Sequence, residues 1–97
     1  MIRSFRDRRT EDLFHGRETS RTRRVPIDVV ERVRVKLDML HAAAALRDLR
    51  APPGNRLETL RGDWAHWSSI RVNAQWRLVF RWSDGDAHDV GLVDYHS

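Results

Sequence analysis

The chain has no cysteine, which rules out a disulfide framework, a thiolate metal site and a cysteine nucleophile. No apolar run approaches the roughly 20 residues that a membrane span requires. Its start, Met1-Ile2-Arg3-Ser4-Phe5-Arg6, lacks the apolar core of a signal peptide. A soluble, cytoplasmic protein with no membrane partner is expected. Five histidines are present, but none forms a His-x-x-x-His pair, so no metal site is expected and no cofactor is implied. Neither a glycine-rich phosphate loop nor a Gly-x-Ser-x-Gly elbow occurs. Lysine is nearly absent as well.

What replaces lysine is arginine, at 17 of the 18 cationic positions. A planar guanidinium suits bidentate contacts to phosphate and carboxylate better than an ammonium does. The net charge of +4 hides an asymmetry. Met1 to Lys36 holds 11 basic against 6 acidic residues, whereas Gly62 to Ser97 holds 3 against 5. Nucleic acid or an acidic protein surface is the partner class this charge suits, set against a merely solvated basic surface. At 97 residues the chain is long enough for a single domain, 1–97, with an adequate core.

Ile2 to Phe5 reads as a short first strand. Asp7 is placed to cap a helix over Arg8 to Phe14 that Gly16 stops. Arg17 to Arg24 contains four arginines and no apolar residue, and reads as a mobile or loosely held basic loop. Pro26 suits the first position of a long helix. In it Ile27, Val30, Val33, Leu37, Leu40 and Ala44 form one apolar face. Ala42 to Leu49 continues that helix or restarts as a short one. Ala51-Pro52-Pro53-Gly54-Asn55 then breaks the chain, and Arg61-Gly62-Asp63 makes a turn.

Three strand-like runs follow. His66 to Val72 is the first, and Ala74 to Trp82 the second. The second alternates, with Trp76, Leu78, Phe80 and Trp82 on one face and Gln75, Arg77, Val79 and Arg81 on the other. Asp84-Gly85 signals a tight hairpin into the third, which starts at Ala87. The fold class is α+β: a short first strand, two or three helices, then a three-stranded antiparallel sheet packed on the helices. If the tryptophan face is buried, Arg77 and Arg81 lie on the open face, with Arg71 beside them. Guanidiniums clustered there would hold a phosphodiester backbone, whereas the competing role is cross-strand pairing with Asp86 or Asp89.

The third strand ends in Asp94-Tyr95-His96. His96 has the one nearby side chain suited to proton transfer near neutrality, Tyr95 can stack or donate, and Asp94 can orient either. Trp64 and Trp67 can stack on bases or pack in the core. His15, His41, His66 and His88 read as structural or solvated.

Six ordered blocks carry a resemblance that spans almost the whole chain. They are Met1-Ile2-Arg3-Ser4-Phe5-Arg6-Asp7, Leu49 to Glu58, Leu60-Arg61-Gly62-Asp63, Trp67 to Asn73, Gln75 to Phe80, and Val93-Asp94-Tyr95-His96. In order and spacing they resemble the HigB-type toxins of the RelE superfamily. The resemblance implies a small α+β toxin that cuts messenger RNA in the ribosomal A site without a metal. It also implies a cognate helix-turn-helix, HigA-like antitoxin, whose complex with the toxin binds operator DNA. Carried over by position, Asp94, Tyr95 and His96 are the catalytic tail. Arg77 is a phosphate ligand in the transition state, and Arg61 is the basic residue of the Leu-x-Gly-Asp turn. Arg71, Arg81, Gln75, Arg56 and Trp67 are the expected RNA contacts. Some relatives carry lysine where this chain has Arg61, and arginine can stabilise charge but cannot serve as a base. Proton transfer is therefore assigned to His96. The alternative from another class is a non-catalytic RNA- or protein-binding module of the same fold.

Overall fold

Asp7 begins the first helix by a local hydrogen bond. Its carboxylate accepts from the Thr10 backbone N–H at 2.7 Å, and α1 (Arg8–His15) follows, ending at Gly16 in the left-handed region. The chain is described by a computed structural model covering residues 1–94. After α1 come a 3₁₀ turn (Thr22–Arg24), the long helix α2 (Ile27–Ala42), and two further 3₁₀ turns (Leu46–Arg50 and Pro53–Asn55). A short strand β1 (Glu58–Thr59) and a 3₁₀ turn (Gly62–Trp64) lead to β2 (Ser68–Arg71), β3 (Trp76–Ser83) and β4 (Asp86–Asp94). Among the described residues no helix is long and apolar enough to cross a membrane.

The sheet has four strands rather than three, all antiparallel, in the order β1-β2-β3-β4. The extra strand, β1, is two residues long, too short to show a period of two in sequence. Asp84 and Gly85, with φ of 52° and 78°, make the tight β3–β4 turn, in which both central residues take positive φ.

The expected first strand is not a strand. Ile2 and Phe5 instead make isolated parallel bridges to Ala87 and Val90 along the outer edge of β4. Backbone hydrogen bonds join Arg3 to Ala87 and Val90 to Ser4 at 2.8–3.0 Å. Further along, the Leu92 N–H donates to Thr10 Oγ1 at 2.9 Å, and Arg9 Nη2 donates to the Leu92 carbonyl at 2.8 Å. The N-terminal segment and α1 thus satisfy an edge that would otherwise offer its polar groups to another chain.

The core lies between one sheet face and the two helices. Ile70, Leu78, Phe80, Val90 and Leu92 meet Leu13, Val33, Leu37 and Leu40. In α2 the buried stripe is Val29, Val33, Leu37 and Leu40. Ile27, expected on that stripe, is 83% exposed, and Val30 is only partly buried. The N-terminal turns of α2 carry apolar residues at 27, 29, 30, 33 and 35, so more than one phase fits the pattern. Packing against α1 and β4 selects among them. The helix ends at Ala42, and Asp48 then accepts from the backbone N–H groups of Ala44 and Ala45 at 3.0 Å.

The arginine-rich segment after α1 is held, not loose. Asp12, 3% exposed, accepts from Arg21 Nε and Thr19 Oγ1 at 3.0 Å and from Arg17 Nη1 at 3.4 Å. Thr22 is buried beside it.

Candidate active site

Strand alternation sorts β3 as expected, with Trp76, Leu78 and Phe80 turned into the core. The opposite face is not open. Val79 is 1% exposed and Arg77 6% exposed. A buried guanidinium is costly unless its donors are satisfied, and here they are directed. Arg77 Nε donates to Ser69 Oγ at 2.9 Å, and Nη2 donates to the Arg56 carbonyl at 2.7 Å. Arg56 adopts φ 44° at the end of the Pro53–Asn55 turn. Glu58 Oε2 lies 3.9 Å from Arg77 Nη2.

Arg71 is the register partner of Arg77 across β2 and β3. Like charges directly opposite repel across a strand pair, so an anion between them lowers the energy of the arrangement. Arg56, Arg71 and Arg77 together line a cleft of about 230 Å³, completed by Glu58, Asn73 and Ala74. Asn73 shapes its rim: its Oδ1 accepts from the backbone N–H groups of Gln75 and Trp76, both at 2.8 Å, and closes the β2–β3 turn. At the same end of the sheet Gln75 Nε2 donates to Asp94 Oδ2 at 3.0 Å. Asp94 is the register partner of Trp76, and Val93 that of Arg77. Tyr95 and His96, assigned to the catalytic tail, lie outside the described residues.

The remaining expected site residues lie elsewhere. Arg61, Trp67 and Arg81 belong to the opposite end of the strands. Arg61 is exposed at the start of the Gly62–Trp64 turn. Arg81 is four residues from Arg77 along β3, roughly 13 Å at about 3.3 Å per residue. It makes the cross-strand ion pair expected as its competing role, with Nε and Nη2 at 3.0 and 2.5 Å from Asp89 Oδ2. Arg81 therefore does not join Arg77 as a second open cation. A bulge between Val79 and Arg81 separates the two.

Between these ends the face is crossed by Arg6. A Cβ on Gly91, the register partner of Val79, would sit 2.2 Å from Arg6 Cδ. The Arg6 guanidinium rests on Trp64 and Trp67, 4.9 and 5.5 Å from their ring centroids. The two indoles meet edge to face at 5.1 Å. Ser69, Glu58, Asn73 and Arg6 were not among the expected site residues. Ser69 and Glu58 follow the two-residue alternation from Arg71 and Arg56, a faint signal. Nothing in the sequence pairs Arg6 with Gly91, which are 85 positions apart.

Comparison with known proteins places the chain in a family and a fold. Residues 3–96 match the family described as the RelE-like toxin of the type II toxin–antitoxin system HigB. Toxin HigB-1 of Vibrio cholerae is 44% identical over 87 residues, covering 90% of each chain. Endoribonuclease HigB of Proteus vulgaris is 33% identical over 96 residues, covering 99% of this chain and all of the relative. Among solved structures, a YafQ variant from E. coli superposes with a TM-score of 0.62 at 12% identity, covering 98% of this chain and 94% of the other. The YoeB–YefM complex from Staphylococcus aureus gives a TM-score of 0.61 at 16% identity, covering 100% and 99%. These two likenesses establish a shared fold.

Proposed function

This chain belongs to the HigB-like family of RelE-like toxins of type II toxin–antitoxin systems, and on that premise we propose that it is an endoribonuclease that cuts messenger RNA on the translating ribosome. The relative from Proteus vulgaris is named an endoribonuclease. The observation that best supports it here is Arg77, buried at the base of an arginine-walled cleft and clamped by Ser69 and the Arg56 carbonyl.

In this reading the cleft takes the scissile phosphate. The 2′-oxygen of the preceding ribose attacks phosphorus as its proton departs. The P–O5′ bond breaks, and the leaving 5′-oxygen takes up a proton. The products are a 2′,3′-cyclic phosphate and a 5′-hydroxyl, with no metal or cofactor required. Charge gathers on the non-bridging oxygens in the transition state, and Arg77, held in place beforehand, offsets it without reorganising. Arg71 and Arg56 add positive potential and hold the neighbouring backbone. The Asp94-Tyr95-His96 tail carries the proton transfers, with His96 as the group suited to them and Gln75 steadying Asp94. Arg61, at the opposite end of the strands, adds positive potential along the RNA path and takes no part in proton transfer. The partner that silences the toxin is a helix-turn-helix antitoxin, and the pair binds its operator DNA.

The test is to induce the chain and its His96→Ala variant in a bacterial host and map messenger ends by primer extension. New cuts within the reading frame, made by the wild type alone, support the reading. Growth arrest with intact messages, or equal effects of the two forms, would leave a binding module as the better account.

A further inference from the structure

Arg6 is an exposed cation on the sheet face that also carries the buried Arg77. Among the described residues Arg6 has no carboxylate partner, whereas Arg81, also near Trp67, is paired with Asp89. Its stem lies in the gap left by the missing side chain of Gly91, and its head is stacked on Trp64 and Trp67. Cation–π contact with two indoles fixes the position of a guanidinium without using up its N–H donors, which remain available to an anion. Gly91 pairs with Val79, two residues along β3 from Arg77. By strand rise the Arg6 stem crosses the sheet roughly 7 Å along β3 from Arg77, and its guanidinium lies further on, over Trp64 and Trp67, along the same face as the cleft.

We propose that Arg6, mounted on Trp64 and Trp67 across Gly91, is a second phosphate subsite that holds the RNA backbone next to the cleavage step. This rests on the endoribonuclease reading and adds a binding residue to it. The subsite reads charge and not base identity, because a phosphate contact carries no sequence information. Its effect is to fix the register of the strand so that the scissile phosphate reaches Arg77 and Arg71. Gly91 is then a positioning residue. Alanine at 91 has no positive-φ penalty, but its methyl occupies the space of the Arg6 stem and displaces the cation.

The experiment uses a fluorescent, fully 2′-O-methylated RNA oligonucleotide, which cannot undergo 2′-hydroxyl attack. Its binding by the wild type, Arg6→Ala and Gly91→Ala is followed by fluorescence polarisation at several salt concentrations. Arg6→Ala is expected to weaken binding about fivefold at moderate salt. It is also expected to lower the slope of log affinity against log salt by about 0.7, the loss of one single-strand phosphate contact. Gly91→Ala should follow it. A merely structural role for Arg6 would shift thermal melting and leave the salt slope intact. Equal affinity and equal slope for wild type and Arg6→Ala overturns the subsite, whether or not Gly91→Ala folds. Cleavage of programmed ribosomes by the wild type is measured in parallel. Its absence would sink the endoribonuclease reading, while the oligonucleotide slopes still decide on the subsite.

Discussion

Replacing Arg77 separates its structural work from its chemical work. The side chain donates to Ser69 and to the Arg56 carbonyl, each bond contributing about 1 kcal/mol net. Burying its charge opposes that gain. Its contact with Glu58, half-exposed at 3.9 Å, adds little after solvent screening. Arg77→Met should therefore change stability by no more than about 2 kcal/mol. The rate should respond far more. Losing a preorganised charge at the reacting phosphate costs about 100- to 1,000-fold, or ~3–4 kcal/mol. Arg77→Lys keeps the charge but cannot reach both acceptors with a fork, and should lose about tenfold or more. Single-turnover cleavage of messenger RNA on programmed ribosomes measures the rates, and urea midpoints measure stability. If Arg77→Met is folded and cleaves within about threefold of the wild type, the cleft is not where the phosphate sits.

Three further outcomes follow from packing and charge. Thr10 is fully buried, accepting from the Leu92 N–H and donating to Asp7, so Thr10→Val should cost about 1–3 kcal/mol in urea unfolding. An unchanged midpoint would show that α1 does not secure the edge of β4. Burial raises the Asp12 pKa, but Arg21 and Thr19 hydrogen bonds with the Arg21 and Arg17 contacts outweigh it, and the folded value is depressed. Its contribution is therefore present above the ordinary carboxylate pKa of about 3.9 and lost as pH falls through the lower folded value. Urea midpoints taken across the acid range should fall less steeply for Asp12→Asn than for the wild type, and identical acid limbs would refute the network. Leu37→Ala should cost about 2–5 kcal/mol, whereas Ile27→Ser should stay within about 0.5 kcal/mol. Similar losses at the two positions would mean that α2 turns a different stripe to the core.

Much of this fold was legible residue by residue. Asp7 and Gly16 mark the ends of α1 because a cap and a left-handed stop are local chemistry. The alternation of β3 and the Asp84-Gly85 turn depend on neighbours a few positions apart, and both appear as read. Alternation and strand order also put Arg71 beside Arg77, and the two line one cleft, which Arg56 joins from the turn before β1.

Other features depend on residues far apart in the chain. Alternation says which side chains share a face but not what covers that face, so the burial of Arg77 and Val79 could not be read from β3. Arg81 was grouped with Arg77 by parity alone. The bulge after Val79 and the Asp89 ion pair, set by β4, hold it apart from Arg77. Ile2 to Phe5 has strand composition, but its bridges form only because α1 folds back and docks beside β4. The order of elements, their caps and the arginine inventory are properties of the sequence itself, since each arises from contacts within one or two turns. Which arginine is buried, which is paired and which remains turned outward is decided by tertiary packing, because solvation and the distance between charges exist only once the distant segments meet.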